Sequence, residues 1–153
     1  MLKDVLKKSD ILLLEKCPDW ESAIQRVACP LLKENCIEES YVNAMIDSVK
    51  EFGPYIVMGK HLALAHARPE DGVNNLGISV ATLAQPVVFG NEENDPVKII
   101  FCLAAVDSFS HLNIMKSLID LINDEAKINR LTNCTNVSEF EKILYDEESK
   151  ETK

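Results

Sequence analysis

Between Trp20 and Leu31, apolar side chains recur at Trp20, Ala23, Ile24, Val27, Ala28 and Leu31, the three-and-four spacing of a helix with one buried face. Asp19 stands at the N-cap position after Pro18, and Pro30 predicts a kink near the far end. Tyr41, Val42, Met45, Ile46 and Val49 repeat the spacing and predict a second helix over residues 38–52, stopped by Gly53-Pro54. Ahead of both, residues 2–8 read as a short helix and 11–14 as a compact apolar strand.

The middle of the chain changes period. Residues 55–58 and 61–65 flank Gly59-Lys60, which reads as a hairpin turn. Residues 76–85 and 97–106 are longer strands, separated by the turn-forming run from Gly90 to Pro96. Past Val106 the helical period returns in Leu112, Met115, Leu118, Ile119 and Ile122, and short helices at about 124–131 and 137–145 complete the pattern. Helices at both ends around near-continuous apolar strands predict an α/β domain whose sheet is covered on both faces. Residues 1–146 read as that single domain and 147–153 as a solvated tail.

Composition narrows the function classes. With 153 residues, 46% apolar and 27% charged, the chain is an ordinary soluble mixture sized for one domain. The apolar run 99–106 is far too short to span a bilayer, and the amphipathic N-terminus lacks a signal peptide's apolar core. A cytoplasmic protein without membrane insertion is the expectation. Sixteen basic against twenty-five acidic residues give a net charge of −9, which argues against nucleic acid and suits a partner with a basic docking surface. The five cysteines, at 17, 29, 36, 102 and 134, show no zinc spacing and read as reduced structural thiols.

His66 is the feature with chemistry in it. It reads as the last strand residue before Arg68-Pro69-Glu70-Asp71-Gly72, which cannot continue a strand. Alternation puts Leu62, Leu64 and His66 on one face and His61, Ala63 and Ala65 on the other. A histidine there is either a packed side chain with one hydrogen bond or a nucleophile on display. Ligand sites in open α/β sheets lie beyond the strands' carboxyl ends, and a neutral imidazole is a good nucleophile near neutral pH. His111 opens the helix after the last strand, with Ser108 or Ser110 as the expected cap. That helix N-terminus attracts a phosphoryl dianion. Asp107 either orients His111 or ends the strand; Arg68 and Lys60 flank the strand, where they can steer anions or stand as ordinary solvated charges; His61 reads as structural or surface. No Gly-rich phosphate loop, Ser/His/Asp order or carboxylate cluster is present, and neither metal nor cofactor is expected.

The segment GPYIVMGKHLALAHARPEDGV (53–73) resembles the active-site region of the enzyme IIA components of the sugar phosphotransferase system, in the fructose–mannitol superfamily. HARPEDGV (66–73), with PVVFGNEENDPVKIIFCLAAVDSFSHL (86–112), is most similar to the ascorbate-type branch. The resemblance runs from the first helix to about residue 145, nearly the whole chain. It implies the mannitol/fructose-type fold, a mixed β-sheet with helices on both faces. It also implies that His66 accepts phosphate from the carrier HPr and donates it to a cysteine of the cognate enzyme IIB, which serves the membrane enzyme IIC. The D-x-x-x-H-L element, opened by Asp107, matches His111 to the second family histidine, which lines the phosphate site. Some members carry an arginine upstream, and the corresponding spacing falls on Lys50.

One departure lies beside the nucleophile. The family usually has proline before the histidine, where this chain has Ala65; alanine adopts the same angles with a less constrained backbone. Two functions are open on this fold: a phosphocarrier between HPr and an ascorbate-type enzyme IIB, or a regulatory module whose His66 state controls a protein partner. Either way, one patch around His66 is expected to meet the partner, with an apolar centre including Leu62 or Leu64 and the 67–73 loop. Arg68 is placed to reach the phosphoryl group or an acidic partner residue.

Overall fold

The structure is a computed structural model that describes the backbone of residues 2–151 and the side chains through residue 145. Its strands are β1 (Ile11–Glu15), β2 (Val57–Gly59), β3 (Leu62–Ala65), β4 (Gly77–Val87) and β5 (Val97–Ala104), joined in one sheet in the order β1-β4-β5-β3-β2. β1 runs parallel to β4 and β3 parallel to β5, while β4 and β5 are antiparallel, as are β2 and β3. The sheet is therefore mixed. Around it stand α1 (Leu2–Val5), α2 (Trp20–Lys33), α3 (Glu39–Phe52), α4 (Ser108–Ile122), α5 (Glu125–Thr132) and α6 (Val137–Glu151).

Alternation along the central strands divides the core in two. Ile99, Phe101 and Leu103 of β5 join Leu62 and Leu64 of β3 beneath α4, α5 and α6, with Leu118 and Phe140 above them. Ile100, Cys102 and Ala104 join Ala63, Ala65 and Ala81 against α2 and α3, with Val27, Ala28, Tyr41 and Met45. Small side chains dominate the sheet's second face, so those two helices pack close to the strand backbones. Each fully buried Leu, Ile or Phe contributes about 1.5–3 kcal/mol relative to exposure, which makes this two-sided burial the main support of the fold.

Local details differ from the sequence reading. The turn between β2 and β3 is centred one residue late, on Lys60 and His61, because His61 takes a left-handed conformation (φ 67°) and its N–H bonds the Asn94 carbonyl at 2.9 Å. α2 continues to Lys33, with Pro30 inside it. β5 stops at Ala104 rather than 106. The N-terminal helix breaks after Val5 and gives way to a 3-10 turn over Lys8–Asp10. The backbone of α6 runs on to Glu151, so the expected tail begins as helix; its side chains lie outside the described residues.

Candidate active site at the ends of β3 and β5

The last paired residues of β3 and β5 are Ala65 and Cys102, after which the two chains part. Pro69 then opens a 3-10 turn (Pro69–Asp71), as the fixed proline φ favours. His66 is thus the first residue past the strand rather than its last. Its Nδ1 lies 2.9 Å from the Leu64 carbonyl. Only the tautomer with hydrogen on Nδ1 makes that contact a bond, so Nε2 carries the lone pair. The ring meets Tyr55 edge-on, with centroids 5.8 Å apart. Burial lowers the His66 pKa below that of a free imidazole; the Leu64 carbonyl opposes this and His111 adds to it. A neutral ring at pH 7 follows.

His111 approaches from the other side. The cap of α4 is Asp107, not Ser108 or Ser110: its Oδ1 accepts the Ser110 N–H at 2.7 Å. A charged acceptor satisfies a helix-end donor better than a hydroxyl, and the same bond holds the Asp107 carboxyl below the ordinary range. His111 follows in the first turn, its ring centroid 6.2 Å from that of His66. The two histidines line a cleft of ≈1050 Å³ between α3 and α4. Tyr41, Ala44, Asp47, Ser48, Glu51 and Phe52 form its α3 wall, and Arg68 also lines it.

Four of the residues singled out in the sequence, His66, His111, Asp107 and Arg68, therefore border one cleft. Arg68 is 77% exposed and its Nε lies 3.6 Å from Asp71 Oδ2, a contact within its own turn. Lys50 is not among the lining residues: it points from α3 toward α2, with Nζ 3.7 Å from Glu21. Lys60 sits at the opposite end of β3, 3.7 Å from Glu125. There His61 bonds the Pro96 carbonyl through Nδ1 at 2.7 Å, a structural histidine. Leu62 and Leu64 are fully buried beneath α4, so neither belongs to a docking patch. Exposed apolar surface at the cleft comes instead from Phe52, Tyr55 and Leu112.

Sequence reasoning missed Tyr41, which it counted only as a stripe residue. Buried to 1% exposure, it places its hydroxyl 2.7 Å from the Leu103 carbonyl and accepts the Ala67 N–H at 3.0 Å. The available signal was chemical, since a tyrosine on a buried stripe needs a partner for its hydroxyl. Among the described residues no three His, Cys, Asp or Glu side chains gather as a metal site. The cleft instead offers a neutral imidazole with a bare nitrogen, a second imidazole and a capped helix N-terminus. That set suits a transferable anionic group.

Comparison with known proteins agrees with this chemistry. The chain is 36% identical over 140 residues to the ascorbate-specific PTS system EIIA component of Salmonella choleraesuis, covering 90% of this chain and 91% of the relative. The solution structure of the mannitol-specific cryptic phosphotransferase enzyme IIA CmtB from Escherichia coli superposes with a TM-score of 0.84 at 33% identity, over 94% of this chain and 97% of that one. The complex of enzyme IIAMtl with phosphorylated enzyme IIBMtl, also from Escherichia coli, matches with a TM-score of 0.80 at 28% identity, over 93% and 99%. Residues 4–147 match the family model for the phosphoenolpyruvate-dependent sugar phosphotransferase system, EIIA 2. A match of that extent, on a sheet whose strand ends set two histidines across one cleft, makes this chain a member of the EIIA 2 family and a relay component of that phosphotransferase system.

Proposed function

We propose that this protein is a cytoplasmic phosphocarrier: His66 accepts a phosphoryl group from HPr and passes it to the cysteine of an ascorbate-type enzyme IIB, which hands it on for sugar uptake through the membrane enzyme IIC. One observation carries the reading. The His66 Nδ1 is committed to the Leu64 carbonyl, while Nε2 has no hydrogen-bond partner among the described residues and His66 lines the cleft. In the first transfer the Nε2 lone pair attacks phosphorus as the donor's N–P bond breaks, and the electron pair returns to the donor imidazole. The His66 ring then carries phosphorus on Nε2 and hydrogen on Nδ1, formally a cation whose charge the Leu64 carbonyl stabilises. A cationic ring is a good leaving group, so the onward step, attack by a thiolate, breaks the new N–P bond readily.

Three further features support the reading. His111 and the α4 N-terminus lie where they can attract the transferred dianion. The exposed side chains of Phe52, Tyr55, Phe109 and Leu112 offer an apolar contact surface, and Asp47 and Glu51 add negative charge that suits a basic partner. The relative whose complex with phosphorylated enzyme IIBMtl is known has the same fold.

The test is incubation with enzyme I, HPr and labelled phosphoenolpyruvate, followed by mapping of the modified residue. Label on His66, lost in His66→Ala with the fold intact, is expected. Undiminished labelling of the variant refutes the assignment.

A further inference from the structure

The Leu64 N–H donates to the Ile56 carbonyl at 2.8 Å, on the β2 side of β3. Because backbone groups alternate along a strand, those of Ala63 and Ala65 face β5, where they pair in register with Ile100 and Cys102. Continued by two residues, that parallel ladder would bring the Ala67 N–H to the Leu103 carbonyl. It does not continue directly, because the Tyr41 hydroxyl occupies the junction, accepting from the Ala67 N–H at 3.0 Å and lying 2.7 Å from the Leu103 carbonyl. The Ala67 carbonyl is also within 3.2 Å, but one O–H proton serves one acceptor best, and Leu103 is nearer. A side chain from α3 is thus spliced into the ladder where the two strands separate.

The two joined segments are the ones that carry the histidines. Ala67 directly follows His66, and Leu103 precedes by four residues Asp107, the cap of the helix that presents His111. We propose that Tyr41 is a positioning residue of the phosphoryl relay: its hydroxyl, inserted between the Ala67 N–H and the Leu103 carbonyl, holds the ends of β3 and β5 apart by a set distance and so fixes the two imidazoles across the cleft. A direct ladder bond would close the strand ends together. With no bond at all, the His66 segment would be free to drift. The kinetic consequence rests on the reading of His66 as the phosphoryl acceptor, whereas the placement of its ring does not. Burial keeps the phenol well above its ordinary pKa, so the hydroxyl remains a donor throughout the working range.

Tyr41→Phe retains the ring that packs in the core and removes only the hydroxyl. In a folded variant, saturated transfer from phospho-HPr should fall roughly ten- to a hundredfold, as expected for a misplaced nucleophile. The half-saturating HPr concentration should stay within about twofold, because the docking surface is untouched. The ring nitrogen shifts of His66 should move, and its titration should rise toward that of a free imidazole. 4-Aminophenylalanine at position 41, which restores a donor at the same place, should recover part of the rate. Wild-type transfer with an unchanged His66 spectrum in folded Tyr41→Phe overturns the proposal. If that variant does not fold, amide exchange on the wild-type protein decides: the Ala67 N–H, although outside any strand, should be protected, and free exchange there overturns the proposal. Should His66→Ala still accept label, the relay reading fails by itself, while the His66 ring spectrum in Tyr41→Phe continues to test positioning.

Discussion

Asp10 should hold a proton in the folded protein near neutral pH, and Asp10→Asn should expose the consequence. The carboxyl is 1% exposed. Its Oδ2 accepts the Lys7 N–H at 3.1 Å, whereas Oδ1 is buried without a hydrogen-bond donor. Burial first, and then the neighbouring Glu34 carboxyl, push the Asp10 pKa up from 3.8 to about 7. Glu34 moves the other way, lowered by the neighbouring Asp10 carboxyl first and by the Lys7 ammonium at 2.8 Å. The unfolded chain gives up the Asp10 proton near its ordinary pKa, so folding takes up a proton between roughly pH 4 and 7 and stability declines as pH rises through that window. Glu34, with its folded pKa depressed, contributes stability that is lost only at lower pH. Three units at 1.36 kcal/mol each set a ceiling of about 4 kcal/mol. The opposite shift of Glu34 and the water around the exposed Lys7 reduce this to about 1–2 kcal/mol. Asparagine keeps the shape and offers Glu34 a permanent N–H donor. Urea unfolding from pH 5 to 8.5 should therefore show a variant more stable than wild type by an increment that grows with pH to that size. Parallel curves for the two proteins would refute the raised Asp10 pKa.

On the proposed relay, His111→Ala would leave His66 as acceptor and remove a donor beside it, so phosphoryl acceptance should persist while onward transfer slows about a hundred- to a thousandfold, measured by rapid quench. Because burial lowers the His66 pKa, the acceptance rate should hold level from pH 8 downward and fall only below the pH where a free imidazole protonates. A midpoint at or above the free value in rate-against-pH measurements contradicts the neutral, buried ring. Across a salt series, association with HPr should be fastest at low ionic strength, as Asp47, Glu51 and a net charge of −9 predict for a basic partner. Arg68→Ala should slow the onward step in the same assays, and indifference to both salt and substitution would leave shape complementarity as the basis of recognition.

What the sequence determined by itself was local and periodic. The stripes of α2 and α3 follow from spacing along each helix, and the division of β3 and β5 between two cores follows from alternation. The place of His66 beside the end of β3 was legible in the same way, although the strand stops one residue before it, and the family motifs added the pairing with His111. Tertiary structure decided where those faces were covered and which distant groups met. Leu62 and Leu64 face the core beneath α4, which packs over them and removes them from solvent. Lys50 has the family spacing in sequence, yet the cleft wall of α3 is Tyr41, Ala44, Asp47, Ser48, Glu51 and Phe52; at about 100° per residue Lys50 turns away toward Glu21. Asp107, Ser108 and Ser110 are all competent caps, and only the place where the backbone leaves β5 chooses among them. Tyr41 shows the division most clearly. Its burial was legible from periodicity, but its hydroxyl partners lie 26 and 62 residues away, and a side chain's role in a ladder exists only once sheet and helix have come together.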